Sequence, residues 1–131
     1  MGTAVVRRLR CPAMKVTGVQ HVALVVTDVD QAVRFYTDVL GCQVVAERPD
    51  FGLPGAWLRA GDQQVHLALS PDAPADTLQH FALEVDDLPG AIDEIRAAGW
   101  KIDPLPLTPG AGHQAFLRDP SGNLVELNQP E

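Results

Sequence analysis

The sequence predicts an α+β domain made of two βαβββ repeats, whose mixed strands curve into a cup. Three observations predict it. VQHVALVVTD (19–28) returns as LQHFALEVDD (78–87), with Gln, His, Ala, Leu, Val and Asp in register. AWLRAGDQQVHLAL (56–69) returns as AFLRDPSGNLVELNQ (115–129), which is longer by a residue in its turn. Each half also reads in the same order: a strand, a helix, then three strands.

In the first half, VQHVALVV (19–26) is β-rich and continuously apolar, the pattern of a strand covered on both faces. Asp28 is placed to cap a helix, with Gln31 at the capping-box position. Val29, Ala32, Val33, Tyr36 and Leu40 follow at helical spacing, and Gly41 stops the helix. CQVVAER (42–48) reads as the next strand. A Pro/Gly-rich loop, PDFGLPG (49–55), leads to AWLRA (56–60), a Gly-Asp turn and QQVHLAL (63–69). SPDAPADT (70–77) is a polar, proline-bearing linker.

The second half repeats this order. HFALEV is a strand, and Asp87 caps a helix carrying Leu88, Ala91, Ile92 and Ile95 that ends at Gly99. WKIDPL, QAFLR and LVELNQ are the three strands that follow, with a TPGAGH loop and a DPSGN turn between them. The expected organisation is an N-terminal arm (1–16) and one domain (17–131) made of modules 17–69 and 78–129. Residues 1–14 have no counterpart in the second copy, and Met14 is a second candidate start.

Bulk properties narrow the function. At 131 residues the chain can bury a core as a single domain. Hydrophobic residues at 46% and charged residues at 21% give the balance of a soluble globular protein. A formal charge of −7 argues against nucleic-acid or anionic-membrane partners. No apolar run approaches a membrane span. The first residues carry arginines without a long apolar stretch, so no secretory signal is expected and a cytoplasmic location is. Cys11 and Cys42 are too few for a disulfide framework and lack the CxxC spacing of a zinc ribbon.

Strand alternation locates the chemistry. Val22, Leu24 and Val26 match Phe81, Leu83 and Val85 and should face the helices. The opposite parity carries His21 and His80 on the first strands, and His66 and Glu126 on the last strands. All four therefore fall on the non-helix face, beside small residues such as Ala23, Ala68 and Ala82, and are expected to share one cavity. A single histidine of this kind is more often a hydrogen-bonded structural residue than a ligand. Four metal-competent side chains at repeat-related positions are a stronger signal. Three imidazoles and a carboxylate suit one divalent transition metal per site (Zn, Ni, Co, Mn or Fe(II)), whereas calcium and magnesium prefer oxygen.

HVALVVTDVDQAVRFYTDVLG, HFALEVDDL and FLRDPSGNLVEL resemble the vicinal oxygen chelate superfamily. It includes glyoxalase I, methylmalonyl-CoA epimerase, extradiol dioxygenases, thiol-transferring fosfomycin-resistance enzymes and bleomycin-binding proteins. The resemblance covers residues 17–129 and implies metal ligands at His21, His66, His80 and Glu126. It also implies a small-molecule substrate chelated through two oxygens, an enediolate stabilised by the metal, and Glu126 as the proton-carrying base. A glyoxalase-type lyase or isomerase is the leading expectation. Glyoxalase I usually has a glutamate where this chain has His66, so this site has fewer carboxylates to move protons.

The alternatives are a ring-cleaving extradiol dioxygenase and a metal-free drug-binding resistance protein. A dioxygenase would use His21, His80 and Glu126 as its triad, with His66 an acid/base beside the metal. Against it, Phe116 stands where such enzymes carry a tyrosine. Phe51, Trp57, Gln114 and Phe116 are candidate substrate contacts. His113 reads as a solvated loop residue, and Arg59 and Arg118 as solvated strand-end charges. The resemblance also implies a homodimer, and leaves open whether the cup closes within one chain or between two.

Overall fold

A computed structural model describes Gly2, residues 14–72 and residues 77–131. Most of the N-terminal arm, including Cys11, and the middle of the linker lie outside the described residues. The elements run β1 (His21–Val26), α1 (Val29–Arg34), a π-helical turn (Phe35–Val39), β2 (Gln43–Val44), β3 (Gly55–Ala60) and β4 (Gln63–Leu69). The second module continues with β5 (His80–Glu84), α2 (Leu88–Ala97), β6 (Asp103–Pro104), β7 (His113–Arg118) and β8 (Leu124–Gln129). Each module forms a four-stranded mixed sheet, ordered β1-β4-β3-β2 in the first and β5-β8-β7-β6 in the second. The outer pairs β1/β4 and β5/β8 are parallel, and the remaining pairs are antiparallel. The predicted fold class holds.

Local chemistry explains the elements. The Asp28 carboxylate accepts from the Gln31 backbone N–H at 2.9 Å, and Asp87 accepts from Gly90 N–H at 3.0 Å, so both expected caps form. The first helix departs from its expected regularity. Leu40 N–H bonds back to Phe35 carbonyl, five residues earlier, which widens the last turn. Consecutive Phe35 and Tyr36 are both buried there. The strands expected over 42–48 and 100–105 shrink to two residues each. After β2 the chain turns away through the charged Glu47-Arg48-Pro49 stretch. At β6, Pro104 has no N–H to extend the ladder.

The helix-bearing faces meet in one core. Val26, Leu58, Val65 and Leu67 of the first sheet belong to the same buried cluster as Leu117, Val125 and Leu127 of the second, with Ile92 and Ile95 from α2. The DPSGN turn joins the modules. Asp119, 4% exposed, accepts from the Tyr36 hydroxyl at 2.8 Å, from Ser121 and Asn123 backbone N–H, and from the Asn123 side-chain amide. Thr27 N–H donates to Ser121 Oγ, and Asn123 Nδ2 donates to Val25 carbonyl. Four donors make a buried carboxylate tolerable and fix the turn against the first module.

The opposite faces are open. His21, Ala23 and Val25 on β1 and His80, Ala82 and Glu84 on β5 are exposed. This corrects the expectation that the first strand is covered on both sides. Within one chain it is covered only on its helix side.

Candidate functional site

Register places each pair of expected ligands identically. On parallel β1/β4, Ala23 stands opposite His66, so His21 and His66 are diagonal neighbours on one face. On β5/β8, Ala82 stands opposite Glu126, which makes His80 and Glu126 the matching diagonal pair. The His21 and His66 rings stack with centroids 4.0 Å apart, and His80 Nε2 lies 3.1 Å from Glu126 Oε1. Antiparallel β3 and β7 add an aromatic opposite each last-strand ligand. Trp57 stacks on His66 at 4.2 Å and 4°, while Phe116 meets His80 edge-on at 5.2 Å.

Hydrogen bonds aim these rings. Leu78 carbonyl can only accept, so His80 Nδ1 donates to it at 2.8 Å, which turns Nε2 towards Glu126. Either a proton on Nε2 or a cation can bridge the two atoms. Asn128 Nδ2 donates to Glu126 Oε2 at 2.9 Å and to Ala111 carbonyl, which fixes the plane of a carboxylate that is 5% exposed. In the other module, His21 Nδ1 meets Gln20 Oε1 at 2.6 Å and His66 Nε2 meets Gln64 Oε1 at 2.8 Å. Burial, then the nearby His21 and Arg48 charges, hold the His66 imidazole below its ordinary value. A neutral ring is the form that a metal binds.

Within one chain the four expected ligands do not converge. Among the described residues, no group of three or more His, Cys, Asp or Glu side chains could hold a metal ion. The chain brings together His21 with His66, and His80 with Glu126, but not one pair with the other. Each pair fits half of a metal's coordination sphere, with supporting hydrogen bonds of the kind that orient ligands. Of the expected substrate contacts, Trp57, Phe116 and Gln114 lie half-buried on the open faces. Phe51 is exposed, 6.0 Å from Trp57. Asn128 and Arg48 escaped the sequence reading. Asn128 shares the parity of Glu126 and was legible on that ground; Arg48 lies in a loop, where parity gives no signal.

The chain's sequence from residue 18 to 127 matches the Glyoxalase/Bleomycin resistance protein/Dioxygenase superfamily. The chain belongs to that superfamily. A probable lactoylglutathione lyase from Vibrio cholerae is 31% identical over 121 residues, covering 83% of this chain and 88% of that protein. The mitochondrial methylmalonyl-CoA epimerase of Mus musculus is 31% identical over 137 residues, covering 90% and 76%. A putative glyoxalase family protein from Bacillus anthracis superposes with a TM-score of 0.81 at 20% identity, covering 90% of this chain and 98% of that one. The doubled sheets described above are thus the superfamily's fold.

Proposed function

We propose that this superfamily member is a metal-dependent lyase or isomerase of the glyoxalase type, acting on a small substrate with two neighbouring oxygens. The observation that carries the reading is the matched placement of four metal-competent side chains in two half-sites. The lactoylglutathione lyase and epimerase relatives support the reaction class. Three imidazoles and one carboxylate suit a divalent first-row ion, which when bound supplies Lewis-acid polarisation of substrate oxygens. Because the half-sites lie on separate faces of one chain, a second copy completes the centre. The His21/His66 face of one protomer then meets the His80/Glu126 face of its partner.

Glu126 is the proton carrier. It is the lone carboxylate of the donor set, it is buried, and Asn128 holds one of its oxygens while the other faces His80 Nε2 at 3.1 Å. In this role it takes a proton from the carbon beside the substrate carbonyl and returns it to the neighbouring carbon. Trp57 and Phe116 wall the site and keep water from the reacting atoms. The test is metal analysis of the purified protein and of His80→Ala. About one ion per site in the native protein and its loss in the variant is the expected result. Near-zero metal in both sinks the reading.

A further inference from the structure

Arg48 stands on the open face of the first sheet. Gly55 shares the strand parity of Trp57, so a Cβ there would point to the His66 side, where it would meet the Leu67 carbonyl oxygen first, then Arg48 Nη2 at 2.8 Å and Cζ at 3.3 Å. The Leu67 backbone already requires glycine there, and the Arg48 guanidinium lies over the same position. It lies 5.1 Å from the centroid of the Phe51 ring, which stands beside Trp57, itself stacked on His66. Arg48, Phe51, Trp57, His66 and His21 form one continuous wall.

The cation is poorly satisfied. Nη2 donates to Leu53 carbonyl at 3.0 Å, and buried Nε has no acceptor. Among the described residues, no carboxylate lies within ion-pair distance of it, although Glu47 and Asp50 flank it in sequence. Asp50 spends an oxygen on Gly52 N–H. A half-buried guanidinium whose Nε lacks an acceptor keeps donors available to a ligand. The corresponding loop of the second module, LPLTPGAG (105–112), has no charged residue, so the repeat does not account for Arg48.

We infer that Arg48 is an anion-binding residue of the substrate site, and that the substrate carries a carboxylate or phosphonate beside the oxygens presented to the half-site. This rests on reading the His66 face as a substrate wall. A planar fork of donors on an aromatic ring is suited to such a group.

The test uses metal-free protein, so it stands whether or not the metal reading does. The chain has two tryptophans, so Trp57 is followed through one of two indole N–H signals in a proton–nitrogen titration. The probes are benzoate, phenylphosphonate and the neutral isostere benzamide. At least one anion should shift the Trp57 signal and bind about tenfold more tightly than benzamide. The better anion identifies the class. Arg48→Met should abolish the preference while leaving the Trp100 signal unmoved, and Arg48→Lys should retain part of it. Equal binding of anions and benzamide, a preference that survives Arg48→Met, or no shift at Trp57 with either anion overturns the inference.

Discussion

Tyr36 shows how one side chain can carry a long-range contact. Its ring is fully buried and its hydroxyl donates to Asp119 from the other module. Burial, reinforced by the Asp119 charge, pushes its ionisation far above the ordinary range of phenols. The folded chain therefore keeps this proton while the unfolded chain loses it above about pH 10. Its contribution to stability is complete below that pH and declines above it. Tyr36 is the sole tyrosine, so absorbance near the tyrosinate band reports it alone. Native protein should show no tyrosinate until it unfolds; ionisation near pH 10 in a still-folded protein would contradict the buried bond. Neither partner was singled out by the sequence reading as a pair, because no periodicity links positions so far apart.

At the scale of the element, α2 illustrates what local chemistry controls. Asp87 caps Gly90 N–H, and Gln129 Oε1 of β8 accepts from Leu88 N–H at 2.8 Å. Ile92 and Ile95 then lie against the second sheet as their spacing requires. Asp87→Ala should cost about 1 kcal/mol and lower the melting temperature by about 4 °C. A calorimetric scan checks this; an unchanged melting point would mean that Gln129 alone holds the helix end. Both caps and the parity of the long strands were legible, because each follows from a short-range period; the diagonal pairing of His21 with His66 and of His80 with Glu126 needed the register of strands far apart in sequence. The π turn and the clipped β2 and β6 were not legible. They depend on what Phe35, Tyr36 and the prolines meet in three dimensions.

At the scale of the molecule, the modules join through their helix sides and the Asp119 turn, which leaves both ligand faces outward. That arrangement gives the dimer reading a sharp test. His21→Ala and His80→Ala chains should each fail to hold metal alone. In a hetero-dimer of the two, one centre lacks both residues and the other is intact. Refolding an equal mixture should restore about a quarter of the native metal content, as random pairing of protomers requires. A centre closed within one chain would give no recovery on mixing.

The duplicated fold, the faces of its strands and the repeat relation of His21 with His80 and of His66 with Glu126 are written along the chain as alternation and repetition. Packing in three dimensions sets the division of the four into two outward half-sites, the hold of Asn128 on Glu126 and the position of Arg48 over Gly55. Those placements come from the packing of one module on the other and from loop paths. Contacts between residues far apart in sequence, such as Tyr36 with Asp119, set them, and these contacts have no period to read.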